Sequence, residues 1–212
     1  MSAPLTPGVA WRQMAKGNER FISGAPQHPR QDVDHRASLA LEQVPHAALL
    51  GCADSRLSAE IIFDKGLGDL FVVRNIGQVI SSSVIGSLEY SVELLHVPLI
   101  VVLSHDNCGA VAAAINQASP DATALPPHIA AITKALNPAI ERVRLAEGLA
   151  PGAPLEGELV GKEHLRDTVA QLLATSELIS DAVAEGKLAI VGANYTLAEG
   201  RVTPEVIIGQ LD

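Results

Sequence analysis

Aromatic side chains are scarce in this chain of 212 residues and make up only 3% of it. Hydrophobic residues nevertheless account for 48%, so the core must be built from Leu, Ile, Val and Ala. A chain of this length can bury one sizeable core, and we expect a single domain. An aliphatic core of this kind suits a sheet flanked by helices.

Positive charge and long apolar runs are also lacking. The chain has 15 basic against 24 acidic residues, a net charge of −9, and no Lys/Arg cluster longer than a pair, which disfavours nucleic acid as a partner. No uninterrupted apolar run reaches about 18 residues, so we expect no membrane span. Residues 1–8 lack the charged start and apolar middle of a signal peptide, and we expect a cytoplasmic protein.

Cysteine is limited to two residues, Cys52 and Cys108. They could form one disulfide, but a cytosolic chain of this size has little need of one. A metal site or a pair of reactive thiols is favoured instead, and two buried small hydrophobic residues are the simplest alternative.

Apolar runs alternate with helical patterns along the chain, which predicts βαβ units and a mainly parallel sheet. Strands are predicted at residues 47–50, 70–73, 99–103, 188–193 and 201–208, and Pro204 makes the last an edge strand. A first helix begins after Thr6 and ends before Gly24, and a polar arm follows to residue 36. Further helices are predicted at residues 37–43, 59–63, 85–95, 108–118, 129–147 with a break at Pro138, and 158–185.

Two polar loops follow two of the apolar runs directly. Cys52 comes after the run at 47–50, and His105 and Cys108 come after the run at 99–103. Neighbouring parallel strands would bring both loops together at the carboxyl ends of the sheet, where α/β folds place their ligands. Two thiolates and one imidazole are three of the four corners of a zinc tetrahedron, and a catalytic zinc site keeps the fourth corner open.

Asp54 and Arg56 follow Cys52 at alternate positions. A guanidinium can hold the carboxylate by a bidentate pair, and Asp54 could then accept a hydrogen bond from a zinc-bound hydroxide. The simpler alternative is a surface ion pair worth less than about 1 kcal/mol. A helix starting near Asn107 would favour a thiolate at Cys108, and backbone N–H groups around Gly109 could face an anion.

The remaining chemical signals are weak. Glycine-rich phosphate loops are absent, since Gly66-Leu67-Gly68 precedes a strand. Six other histidines have no partner at ligand spacing, which favours structural or surface roles. These are His28, His35, His46, His96, His128 and His164.

At the two loops the chain resembles the β-class carbonic anhydrases, which carry Cys-x-Asp-x-Arg followed later by His-x-x-Cys-Gly. The resemblance extends from about residue 11 to residue 209. It includes the segments at residues 17–21, 68–75, 87–90 and 108–111.

This resemblance implies a mainly parallel α/β sheet and an enzyme that hydrates carbon dioxide reversibly to bicarbonate and a proton, through a zinc-bound hydroxide. It implies that Cys52, His105 and Cys108 bind the zinc and that Asp54 and Arg56 stand beside it. It also implies a substrate pocket lined by four residues, with Gly109 next to it. The four are Gln43, Phe71, Ile76 and Tyr90.

The resemblance further implies a homodimer or homotetramer with the active-site cleft at the dimer interface. We expect residues 1–36 to form a helix and arm that pack on a neighbouring subunit, and residues 37–212 to form the zinc catalytic domain. Leu49 stands where some members have the Trp of an inhibitory bicarbonate site, so that site is expected to be missing or altered.

Three alternatives stay open. Asp54 could pair with Arg56 or occupy the fourth zinc position itself. The same scaffold could act on another small linear substrate such as carbon disulfide. A non-catalytic zinc or redox switch, in which Cys52 and Cys108 oxidise together and release the metal, belongs to a different class of protein.

Overall fold

A five-stranded sheet with helices on both faces forms the protein in a computed structural model that describes residues 5–119, 122–150 and 152–211. The strand order is β2-β1-β3-β4-β5, with the first four strands parallel and β5 antiparallel to β4. The strands are β1 (Ala47–Cys52), β2 (Leu70–Asn75), β3 (Leu99–His105), β4 (Ala189–Thr196) and β5 (Arg201–Ile208). The predicted fold class is therefore confirmed.

The helices cover the faces of this sheet and connect its strands. They are α1 (Pro7–Ile22), α2 (Val33–Ser38), α3 (Ala59–Ile62), α4 (Ser82–Glu93), α5 (Gly109–Gln117), α6 (Pro127–Thr133), α7 (Asn137–Ala146), α8 (Gly157–Thr175) and α9 (Glu177–Ala184). Short 3₁₀ turns lie at Ile76–Gln78 and Lys134–Leu136. Within the described part of the chain, no helix is long and apolar enough to cross a membrane.

The central strands β1, β3 and β4 are buried on both faces, and their side chains alternate between two hydrophobic clusters. On β1, Leu49 belongs to one cluster and Leu50 to the other. Every residue of β1 and β3 is buried. These two central strands therefore provide a rigid support for the loops that follow Cys52 and His105 at their carboxyl ends.

Helix α1 packs on its own chain through polar as well as apolar contacts. The buried Asn18 amide donates to the carbonyls of Ile62 (3.1 Å) and Gly200 (2.8 Å) and accepts from the N–H of Val202 (2.9 Å). At Gly17, an added Cβ would lie 1.8 Å from the Phe63 carbonyl oxygen. Close backbone approach thus joins α1 to α3 and β5, while packing of α1 on a neighbouring subunit stays a prediction.

The polar arm is also tied to its own chain. The buried carboxylate of Asp64 accepts from Arg20 Nε (2.5 Å) and from the backbone N–H groups of Gln27 (3.0 Å) and His28 (2.9 Å). A second contact holds the end of the arm: Leu67, three residues beyond Asp64, donates its N–H to the Arg30 carbonyl (3.1 Å). Because α2 spans Val33–Ser38, the expected boundary between residues 36 and 37 falls inside a helix.

Two helix predictions were wrong. The helix expected at residues 37–43 begins earlier, because the Asp32 side chain caps it by accepting from His35 N–H (2.8 Å), and it ends at Ser38. The helix expected at 158–185 is broken at buried Ser176, which adopts an extended conformation. Ser176 Oγ accepts from Ile179 N–H (3.2 Å) to cap α9 and donates to Glu89 (2.6 Å).

Two other expectations were confirmed. Pro138 lies in the first turn of α7, where the predicted break separates it from α6. Pro204 lies on β5, one of the two edge strands, and a register irregularity at Gly192 and Ala193 lies opposite it.

The packing of α1 predicts opposite effects for two glycine substitutions in helices. Gly17→Ala places a methyl group against the Phe63 carbonyl and should lower the free energy of unfolding by about 2–3 kcal/mol. Gly161→Ala in α8 meets no atom within 4 Å and should raise it by about 0.5–1 kcal/mol through helix propensity. Chemical denaturation measures both, and equal effects of the two substitutions would contradict the close contact at Gly17.

Candidate metal centre

The two predicted loops meet at the carboxyl ends of β1 and β3. These strands are parallel neighbours with Gly51 opposite Leu103, so Cys52 and His105 end adjacent strands. Cys108 is the N-cap residue of α5, one position before the helix rather than inside its first turn. The Sγ atoms of both cysteines and a ring nitrogen of His105 all lie within 4.8 Å of one another.

His105 is oriented as a metal ligand. Its Nδ1 lies 2.7 Å from the Asp106 carbonyl oxygen, which can only accept, so Nδ1 carries the proton. The lone pair is then on Nε2, a buried atom with no hydrogen-bond partner among the residues that the structure describes. An unpartnered buried acceptor is costly unless it binds something, and a divalent cation would satisfy it.

The two thiols share one environment. The pKa of Cys52 is lowered to about 4, chiefly by hydrogen bonding with Cys108; burial acts in the opposite direction, and the N–H of Gly77, 3.4 Å from Cys52 Sγ, adds to the lowering. The same sulfur-sulfur contact and burial raise the pKa of Cys108. A cation between the sulfurs would replace the proton that they share. Two sulfurs and one imidazole nitrogen are a donor set that fits zinc.

Asp54 pairs with Arg56 in a bidentate arrangement. Arg56 Nε donates to Asp54 Oδ1 (2.9 Å) and Nη2 donates to Oδ2 (2.7 Å), while the backbone N–H of Arg56 also donates to Oδ1 (3.0 Å). The Arg56 hydrogen bonds hold the pKa of the Asp54 carboxyl far below its usual range. Of the two alternatives for Asp54, the structure has the one in which the carboxylate is held by the guanidinium.

Two residues without a predicted role hold these loops. Arg74 Nε donates to the Cys52 carbonyl (2.9 Å) and its Nη2 donates to the Asp54 carbonyl (2.7 Å). Gly77 approaches so closely that an added Cβ would lie 2.9 Å from Ala110 Cβ. Contacts to backbone atoms, such as those of Arg74 and Gly77, do not depend on the type of residue contacted, so no sequence motif predicts them. Only the pairing of β1 with β2, which sets Cys52 opposite Asn75, could have indicated that these residues lie close together.

The structure separates the predicted pocket residues into two groups. Ile76 is exposed and directly precedes Gly77, beside the Cys52 sulfur. Phe71 pairs with Ala48, four residues before the level of Cys52, which corresponds to about 13 Å along the strand. Phe71 also packs on the cluster opposite to that of the two cysteines and stacks on Tyr90 at 6.0 Å between ring centroids.

Gln43 and Tyr90 line one groove, and none of the three candidate metal ligands lines it. Gly109 begins α5 immediately after Cys108, and an added Cβ there would meet nothing within 4 Å. The roles of these residues in substrate binding, and of the Gly109 N–H toward an anion, stay predictions. Within one chain, therefore, the three candidate metal ligands lie together, whereas the predicted pocket residues do not: Ile76 lies beside the metal centre, and Gln43 and Tyr90 line a separate groove.

Comparison with known proteins agrees with this centre. The carbonic anhydrase family matches residues 47–202. Carbonic anhydrase 2 of Mycobacterium tuberculosis is 49% identical over 205 residues, which cover 97% of this chain and 96% of the relative. The carbonic anhydrase of Mycolicibacterium smegmatis is 44% identical over 205 residues with the same coverage of both chains.

Solved structures share the fold. The β-carbonic anhydrase CafA of Aspergillus fumigatus matches with a TM-score of 0.69 at 25% identity, covering 92% of this chain and 89% of that one. A tetrameric β-carbonic anhydrase of Sordaria macrospora matches with a TM-score of 0.69 at 22% identity, covering 92% and 95%. Taken with the cluster of Cys52, His105 and Cys108, these matches show that the chain belongs to the β-carbonic anhydrase family of zinc enzymes.

Proposed function

We propose that Asp54 and Arg56 are the orienting groups in the reversible hydration of carbon dioxide to bicarbonate and a proton, the reaction of this family. The observation that carries the proposal is the bidentate Asp54–Arg56 pair in the loop that also supplies Cys52. A redox switch needs no group that orients a hydroxide, so this pair favours an enzyme over a sensor.

Zinc, when bound by Cys52, His105 and Cys108, lowers the pKa of a water toward about 7 and makes hydroxide available at neutral pH. Asp54 is ionised and can only accept, so its carboxylate would accept a hydrogen bond from that hydroxide and thereby turn an oxygen lone pair of the hydroxide toward the carbon of the substrate. Arg56 fixes the direction of Asp54, and its Nη2 also donates to the Asn107 carbonyl (3.2 Å). Both loops of the metal centre therefore hold the guanidinium.

Replacing the carboxylate tests this role. Asp54→Asn keeps the size of the side chain but adds a donor, and we expect turnover to fall by about 10²-fold or more while zinc stays bound. Arg56→Lys cannot form the bidentate pair and should also lower turnover. Stopped-flow hydration assays with zinc analysis of the same samples measure both effects.

Asp181→Asn, at an exposed position on α9, is the matched control and should hydrate carbon dioxide at the wild-type rate. Near-normal turnover of the Asp54→Asn protein would show that the carboxylate does not orient the reaction.

We also propose that the enzyme works as a homodimer formed through the β2 side of the sheet. The outer edge of β2 has no strand partner among the described residues, and a free edge readily pairs with another chain. Exposed apolar side chains lie together with Leu67 and Gly68, which come just before β2, including Leu41, which is 99% exposed, and Leu94, which is 62% exposed. A groove of about 740 Å³ lies among them. An exposed apolar surface of this kind is typical of an interaction site.

The divided pocket supports the same assembly. Gln43 and Tyr90 line the groove on this side of the sheet, away from the metal centre of their own chain. A second copy seated on this surface would offer those side chains to the metal centre of its partner. The tetrameric relative from Sordaria macrospora is consistent with assembly beyond the monomer.

A charged interface variant tests the dimer. The double variant Leu41→Asp/Leu94→Asp should sediment as a monomer and lose most of its turnover, because aspartate opposes burial on both partners. Leu145→Asp on α7 changes a side chain that is 84% exposed elsewhere and should leave the dimer intact. Sedimentation velocity measures both variants. A wild-type monomer with full activity, or an interface variant that stays dimeric, would contradict this surface.

We further propose a cytoplasmic location. The two cysteines are free and buried, and their function as zinc ligands requires that they stay reduced. A compartment that keeps thiols reduced supplies that condition.

A further inference from the structure

Gly77 lies between the Cys52 sulfur and the long helix α8. Its N–H donates to Cys52 Sγ at 3.4 Å, and its carbonyl oxygen lies 2.8 Å from Nε2 of His164. A φ of +71° and the 2.9 Å approach of an added Cβ to Ala110 leave room for glycine alone. This one residue therefore contacts a metal-ligand candidate on one side and a buried histidine on the other.

His164 is fixed as the donor in this contact. A carbonyl oxygen can only accept, so Nε2 of His164 carries the proton. Burial lowers the pKa of His164, which keeps the ring neutral and leaves that single proton on Nε2. The ring's other nitrogen, Nδ1, is buried and has no hydrogen-bond partner among the residues described. The Gly77 carbonyl is thus the one hydrogen-bonding contact that the ring makes in the described structure.

We propose that His164 is a positioning residue for the metal centre. By anchoring the Gly77 carbonyl to α8, it holds the turn at Ile76–Gln78 so that the Gly77 N–H stays directed at the Cys52 sulfur. A hydrogen bond to a thiolate stabilises the anionic form and so limits competition by protons for the ligand. The inference rests on the proposed zinc site and extends it to a residue 59 positions beyond His105 in the chain.

A matched pair of substitutions separates the hydrogen bond from the packing of the side chain. His164→Gln can place an amide N–H near the position of Nε2, whereas His164→Met has similar length and no donor. Thr168→Val is the control, because Thr168, one turn further along α8, donates its hydroxyl to the His164 backbone carbonyl (2.9 Å) and takes no part in the hydrogen bonds of Gly77 with Cys52 and His164. It removes a buried hydrogen bond from the same helix and leaves the contact with Gly77 in place.

The measurement is the rate at which each zinc-loaded protein releases zinc to a chromogenic chelator. We expect His164→Met to release zinc about 10-fold faster than wild type, at the lower end of the about 10- to 100-fold loss of metal affinity that follows removal of a direct partner of a ligand, because His164 acts on Cys52 through Gly77. His164→Gln and Thr168→Val should stay close to wild type. In the cobalt-substituted proteins, the sulfur-to-cobalt absorption band of His164→Met should move to lower energy, because the sulfur loses a hydrogen bond.

Wild-type release rates and an unshifted cobalt band in folded His164→Met would overturn the proposal. Acceleration by Thr168→Val equal to that of His164→Met would also overturn it, since general loosening of α8 would then be the cause. If His164→Met does not fold, His164→Asn takes its place, because its amide is one carbon shorter and does not reach Gly77. Release by His164→Asn no faster than by His164→Gln would contradict the anchoring role.

These rates do not depend on the reaction that the enzyme catalyses. A wild-type protein that binds stoichiometric zinc but does not hydrate carbon dioxide would contradict the proposed function alone, and the variants would still test His164. A wild-type protein that binds no zinc would overturn both.

Discussion

The parallel pairing of β1 with β3 is the constraint on which the rest of the structure depends. Because these two strands run side by side and end within one residue of each other in register, Cys52 and His105 meet although more than fifty residues separate them. Helix α5 then returns Cys108 to the same point as its N-cap residue. Both strands are buried along their whole length, so the ligand positions are set by the packed core rather than by loop flexibility.

Side chains from neighbouring strands and loops then hold the two loops that follow β1 and β3. Arg74, at the end of β2, binds two carbonyls of the loop after β1, and Arg56 of that loop binds the carbonyl of Asn107 after β3. Segments at the ends of three parallel strands therefore hold the loop that carries Asp54 and Arg56. In contrast, the groove lined by Gln43 and Tyr90 includes none of these loop residues, so the predicted pocket is divided within one chain.

Most of the fold could be predicted from the sequence, because apolar runs and proline positions are local signals. Strand β3, the break at Pro138 and the edge position of β5 follow from such signals. The break at buried Ser176 was not predicted, and the hydrogen bond from its hydroxyl to Glu89, 87 residues away, is a contact that no local pattern shows. The metal ligands were predictable from motif spacing, whereas the contacts of Gly77 and His164 depend on backbone approach between distant segments and have no residue-type signal.

The central claim is that two sulfurs and one imidazole nitrogen hold a single zinc ion that the reaction requires. Its most direct test is metal analysis, X-ray absorption at the zinc edge and a hydration assay on one sample of purified wild-type protein. The account predicts one zinc per chain with two sulfur ligands, and hydration that disappears on chelation and returns with added zinc. Protein without stoichiometric zinc, zinc bound without sulfur, or hydration that survives complete removal of the metal would contradict it.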